Sequence, residues 1–156
     1  MAKQSAGILM FRRRSELRGV EVLLGHPGGP LWARRDAGSW SIPKGEYGAQ
    51  EQAIDAARRE FEEELGLPAP VGDYLELGSV RQPSGKVVTA WAVEGDLDPS
   101  LIVPGTFELE WPRGSGRRQQ VPEIDRVAWF GPEEAAEKVL PGQREFLGRL
   151  AEMLEG

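Results

Sequence analysis

Cysteine is absent and histidine occurs once, so disulfides, thiolate metal sites, a cysteine nucleophile and a multi-histidine metal cage are excluded within this chain. No apolar run approaches the roughly 18 residues needed to span a bilayer. Residues 1–4 pass straight into a short apolar stretch without the layout of a cleavable signal, so a cytoplasmic location is expected. An excess of positive charge is also missing. The formal net charge of −6 argues against nonspecific binding to DNA or to anionic membranes. Nothing in the sequence speaks to oligomeric state. What is present is an ordinary globular composition, 40% hydrophobic and 28% charged over 156 residues. That length suits one hydrophobic core, and a single domain over residues 1–156 is expected.

The acid excess is concentrated. Between Glu51 and Glu64 stand six acids (Glu51, Asp55, Glu60, Glu62, Glu63, Glu64) against Arg58 and Arg59 alone. The surrounding pattern predicts a helix over 50–65, with Ile54, Ala57, Phe61 and Leu65 at helical spacing and Gly66 as its stop. Strands are predicted at 5–11, 20–24, 74–80, 87–93 and 124–130, with a polar turn over 12–19 and another at Pro83-Ser84-Gly85. Residues 40–43 read as short and extended. Helices are predicted at 132–139 and 143–154, and 25–38 and 96–120 as irregular segments rich in Gly, Pro and Arg. The mixed order implies an α/β or α+β fold, layers of sheet and helix around one core.

Glu60, Glu63 and Glu64 are spaced i, i+3, i+4, so their carboxylates share one helical face. Like charges at that spacing repel by a few tenths of a kcal/mol per pair, roughly. They also crowd the last turn, where the helix dipole is negative and a cation would be preferred. Full solvation or a bound cation would relieve both problems. Mg²⁺ is the cation that favours such hard oxygen ligands and commonly acts on phosphate esters.

Spacing around the helix sharpens that choice. Gly45 is followed after five residues by Glu51, and after seven more by Arg59-Glu60-Phe61. One residue later come Glu63-Glu64, and after one more Gly66-Leu67. This resembles the Nudix box, G-x5-E-x7-R-E-U-x-E-E-x-G-U, where U is a bulky apolar residue, and every specified position is met. The resemblance implies a Nudix fold, a mixed sheet between helices with the box as loop-helix-loop. It further implies a Mg²⁺-dependent (or Mn²⁺-dependent) hydrolase that cleaves a nucleoside diphosphate linked to another moiety, by water attack on phosphorus. Carried over by residue, Glu60, Glu63 and Glu64 would bind or act beside the metal, with the backbone carbonyl of Lys44 completing the coordination. Gly45 would allow close backbone approach, Gly66 would end the helix, and Glu51 with Arg59 would tie loop to helix. Glu123, before the predicted strand 124–130, is the matching candidate for a further metal-site or base-orienting carboxylate. Glu60 and Glu63 are the candidates for general base.

Substrate contacts are expected from Lys44, whose Pro43-Lys44-Gly45-Glu46 setting is similar to that of dinucleoside polyphosphate hydrolases in the family. Trp32 and Trp40 flank Arg34 and Arg35 and are candidates for a base-stacking platform with phosphate contacts. His26 is expected to be a loop residue with local hydrogen bonds, and residues 113–118 a solvated loop. Substrate markers conflict. Pro83 falls where some ADP-ribose pyrophosphatases of the family carry a proline, but a hairpin turn explains it equally well. The tyrosine of many diadenosine polyphosphate hydrolases is missing from residues 82–86. Dinucleoside polyphosphates or nucleoside triphosphates therefore rank first as substrates, and nucleotide sugars such as ADP-ribose second. A non-catalytic nucleotide sensor is the rival class of function, and the complete carboxylate set argues against it.

Overall fold

A computed structural model describes residues 3–14 and 19–155, the side chain of Arg14 excepted. Eleven residues alternate along the first strand, β1 (Gln4–Arg14), and the alternation decides the layering. Ile8 and Met10 face one side with Leu23, Phe61, Leu65 and Val127, whereas Leu9 and Phe11 face the other with Leu24, Phe130, Phe146 and Leu150. Every one of these side chains is buried, so the sheet is covered on both faces.

The remaining strands are β2 (Gly19–Pro27), β3 (Lys44–Glu46), β4 (Leu75–Arg81), β5 (Val87–Glu94), β6 (Thr106–Glu110), β7 (Arg118–Pro122) and β8 (Ile124–Phe130). The main sheet runs β4-β5-β1-β2-β8, with β3 also paired to β1. Only the β1–β5 pair is parallel; the others are antiparallel. Helix α1 (Ala53–Leu65) covers one face, and α2 (Pro132–Lys138) and α3 (Arg144–Glu155) cover the other. No helix is long and apolar enough to cross a membrane among the described residues.

One departure from a regular sheet creates the site. Strand β1 pairs with β2 only over Phe11–Arg14, while Ser5, Ala6 and Gly7 pair with β3 on that same edge. The two long strands therefore part company. Beyond the parting, Gly25 of β2 exchanges hydrogen bonds with Ser41, and Ile8 donates to the carbonyl of Pro43. The wedge opened between them leads to the start of β8.

The expected elements appear with shifted ends: β1 and β2 run longer than 5–11 and 20–24, and the helix over 50–65 begins at Ala53. The turn expected over 12–19 has its centre, 15–18, outside the described residues, and residues 12–14 and 19 belong to strands. The irregular segment expected over 96–120 needs correction, because β6 and β7 within it form a separate two-stranded sheet. Its sequence hides this. Phe107 and Leu109 do alternate with polar residues in β6, but over only five residues, and its partner β7 carries Val121 as its one aliphatic residue, so Gly, Pro and Arg dominate the segment.

Candidate active site

Helix α1 delivers the box carboxylates, and its end is unusually placed. Its last turn carries no basic residue, and Gly66 closes it in the left-handed conformation at φ 70°. The carbonyls that a helix end leaves unpaired are instead met by backbone from the irregular segment leading into β6. Val103 N–H donates to Leu65 O at 2.7 Å, and Gly105 N–H to Glu63 O at 3.0 Å.

The crowded carboxylate face finds a cation inside the chain. Arg59 grips Glu51 with two parallel bonds of 2.8 Å, reaches Glu60 at 2.8 Å, and reaches both oxygens of Glu63 at 3.3 Å. The Arg59 hydrogen bonds hold the Glu51 carboxyl below its usual range. Chiefly through Glu51, the guanidinium itself is held still more firmly protonated. This two-pronged pair links the loop before α1 to the helix.

Glu60 and Glu64 are the strained members. Glu60 is only 9% exposed, and burial raises its proton affinity against the opposing pull of Arg59, with Glu63 and Glu123 adding repulsion. Its carboxyl group lies against Gly45: a Cβ at that position would stand 2.0 Å from the carboxyl carbon. A side chain at 45 would therefore displace the Glu60 carboxylate from its place. Glu64 accepts the backbone N–H of Lys44 at 3.0 Å. Burial nevertheless pushes its carboxyl up to about 8, and repulsion from Glu123 contributes. Glu63 remains more than half exposed. Glu62 is exposed and accepts from Ala69 N–H at 3.3 Å.

Lys44, Glu64 and Glu123 line a small cavity of about 130 Å³, walled by Gly25 and Pro27 of β2, Ser41, Ile42 and Ile124. This is the wedge where β1 and β2 part. Burial and the neighbouring Lys86 lower the proton affinity of the Lys44 ammonium, while Glu64, Glu46 and Glu60 work the other way. Glu123 comes in from the far side. Its N–H donates to Gly105 O at 2.9 Å, and its carbonyl accepts from Gly28 N–H at 3.2 Å. Sequence positions 44, 60, 64 and 123 are thus brought together.

The donor set is all hard oxygen from crowded carboxylates, and it fits a small divalent cation. Glu60, Glu63, Glu64 and Glu123 would hold Mg²⁺ or Mn²⁺. Among the described residues no three acidic or histidine side chains already converge on one point.

The expected stacking platform needs correction. Trp40 is 4% exposed, packed edge-on against His26 and Phe130, and its indole N–H donates to Asp36 at 2.8 Å. A core tryptophan with the Arg126 guanidinium 5.2 Å over its ring has no open face to offer a base. Trp32 is half-buried under the Arg35 guanidinium, 5.3 Å from its ring, and Arg34 is exposed. His26 is likewise no loop residue. It sits fully buried in β2, with Nε2 2.6 Å from Arg35 O and Nδ1 3.0 Å from Asp125. Because a carbonyl can only accept, Nε2 carries a proton and ties the loop after β2 to the sheet.

Two contributors carried no signal in the sequence. The Gln143 side chain, 1% exposed, accepts Ile42 N–H at 3.1 Å and donates to Ser41 Oγ at 3.0 Å. It pins the cavity wall from about a hundred residues away. Gly105 is the other, since an isolated Gly in a Pro- and Gly-rich stretch reads as a turn.

Comparison with known proteins identifies the family. The NUDIX domain family profile matches residues 1–150. No curated protein sequence matches significantly. Among solved structures, the chain resembles an Ap4A hydrolase from C. elegans in a binary complex, at 19% identity and a TM-score of 0.65, covering 97% of this chain and 98% of that one. It also resembles the NUDIX domain of Shewanella oneidensis NrtR complexed with ADP ribose, at 15% identity and a TM-score of 0.64, over 99% and 89% of the two chains. A Nudix hydrolase from M. smegmatis, RenU, superposes at 23% identity and a TM-score of 0.60, over 97% and 85%. These identities speak for the fold; the profile match over nearly the whole length shows that the chain belongs to the Nudix hydrolase family.

Proposed function

We propose that this protein is a Mg²⁺-dependent pyrophosphohydrolase that cleaves a phosphoanhydride in a nucleoside diphosphate linked to another moiety. The observation that carries the reading is the meeting of Glu64 and Glu123 with Lys44 around one narrow wedge, with Glu60 near enough to interact electrostatically with all three. Bound at these carboxylates, Mg²⁺ (or Mn²⁺) would neutralise phosphate charge and acidify the attacking water.

The chain's own groups supply the rest. Lys44 offers a compact cation to a substrate phosphate, in a half-buried setting that strengthens the attraction. Of the two candidate bases, the buried Glu60 has the raised proton affinity that suits a proton acceptor, which favours it over the exposed Glu63. Arg59 keeps both carboxylates oriented while remaining charged itself. Glu123 would bind the metal or orient the water. Trp32 and Arg34 remain candidates for nucleotide contacts on the loop that His26 anchors.

Dinucleoside polyphosphates or nucleoside triphosphates are the leading substrate class, with support from the fold shared with an Ap4A hydrolase. ADP-ribose and related nucleotide sugars are second, a reading favoured by the fold shared with a domain that binds ADP ribose. The test is hydrolysis with Mg²⁺ of diadenosine tetraphosphate, ATP and ADP-ribose, products being separated chromatographically. Release of a nucleotide from the first two at higher kcat/KM than from ADP-ribose is expected. Faster ADP-ribose cleavage would reverse the ranking, and binding without turnover of any would make the protein a sensor.

A further inference from the structure

Gly105 stands between the two halves of the site. Its N–H donates to the carbonyl of Glu63 in α1, and its own carbonyl accepts from the N–H of Glu123. A single residue thus spans from the acidic helix to the one site carboxylate outside it. The approach leaves no room for a side chain, because a Cβ at 105 would lie 2.7 Å from Glu63 O. That neighbour is backbone in a helix end already held by Val103 and cannot swing aside. Gly105 is not among the glycines with positive φ, so alanine there meets no local backbone strain. The closeness of the helix end to the segment before β6 is what demands glycine.

We propose that Gly105 is a positioning residue, which sets the separation of Glu123 from Glu60 and Glu64. The proposal rests on the reading of Glu123 as a member of the site. Its physical basis is the narrow tolerance of such sites, where about 0.5 Å separates productive from unproductive placement of supporting groups. Relieving a 2.7 Å contact requires a shift of that size. The shift passes to Glu123 through the hydrogen bond that continues the β6–β7 ladder past Thr106 and Pro122.

A double-mutant cycle tests this, read in Mn²⁺ affinity by electron paramagnetic resonance and in turnover of diadenosine tetraphosphate. Gly105→Ala should weaken Mn²⁺ binding about tenfold and lower kcat by roughly 10–100-fold, in line with the cost of ångström-scale misplacement. KM should change less than about threefold, because Gly105 makes no hydrogen bond to Lys44, Trp32 or Arg34. In a Glu123→Gln background the same substitution should cost less than about threefold in either quantity, since the group it positions is gone. Gly148→Ala, in open space on α3, is the control and should leave both unchanged. Equal losses from Gly105→Ala in the two backgrounds would overturn the positioning role while leaving Glu123 in the site. An inert Glu123→Gln would remove the reading of Glu123, and the role of Gly105 with it. If Gly105→Ala does not fold, amide exchange of the wild-type protein decides instead. Mg²⁺ should slow the Gly105 and Glu123 amides together, and independence of either from Mg²⁺ would overturn the proposal.

Discussion

Helices α1 and α3 pack on opposite faces of one sheet with similar apolar stripes, yet their charges are arranged in opposite senses. In α3, Glu145 and Arg149 form an i, i+4 pair at 2.7 Å, and Arg149 also donates to Leu77 O and Ser79 O on β4. Each of those contacts favours the fold. The end of α1 gathers Glu60, Glu63 and Glu64 at the negative end of the dipole, with Arg59 bonded to the first two and Lys44 near Glu64 to balance them. Glu64 sits where ionisation is resisted by burial. Local stability does not explain α1, and a site that a cation completes does.

The largest expected effect breaks α1 as chemistry while sparing it as structure. Glu63→Gln and Glu64→Gln should each lower turnover by orders of magnitude, about the 10²–10⁴-fold of lost acid–base or charge assistance, with an unchanged circular-dichroism spectrum. Wild-type turnover in both folded variants would sink the assignment. Next in size is the response to metal. Mg²⁺ at a hundredfold above its Kd should raise stability by about 2.7 kcal/mol, and a Glu60/Glu63/Glu64→Gln triple variant should lose the shift. An equal rise in melting temperature for both proteins would point to nonspecific ion effects.

A smaller effect lies in pH. The folded, metal-free protein holds a proton on Glu64 up to about 8, whereas the unfolded chain releases it near the ordinary carboxylate value. The native state therefore binds more protons between about pH 4.5 and 8, and stability falls as pH rises through that window. Glu64→Gln should flatten that part of the melting profile in metal-free buffer; a profile as steep as the wild type's would disprove it. The smallest effect is the control on α3. Arg149→Ala should lose about 1 kcal/mol of stability, a shift of roughly 2–4 °C, while kcat and KM stay unchanged. A fall in kcat for the folded variant would mean that the two faces of the sheet are coupled.

The main-sheet strands other than β3 (Lys-Gly-Glu) and the three helices follow from apolar period and from Gly and Pro punctuation, because burial on one or two faces imposes those patterns. The spacing from Gly45 to Leu67 is local, so it carried Glu51, Arg59 and the acidic face together. Where strands are short and exposed the signal is weak, as in β6 and β7, where the Phe107/Leu109 alternation spans five residues and the partner strand has none. Tryptophan misled for the opposite reason. The same side chain suits a core or a binding face, and only its surroundings separate Trp40, edge-on to Phe130, from Trp32 under Arg35.

What the sequence by itself determined is the family, the acidic face of α1 and the alternation that layers the sheet, since each depends on residues close in the chain. Tertiary structure alone decided that β1 and β2 part to open a wedge, that Glu123 and Glu64 both line it, that Gln143 pins its wall and that Gly105 holds the Glu123 backbone. Those are backbone and side-chain contacts between segments some 20 to 100 residues apart. Their distances depend on how the layers pack, which no local spacing encodes.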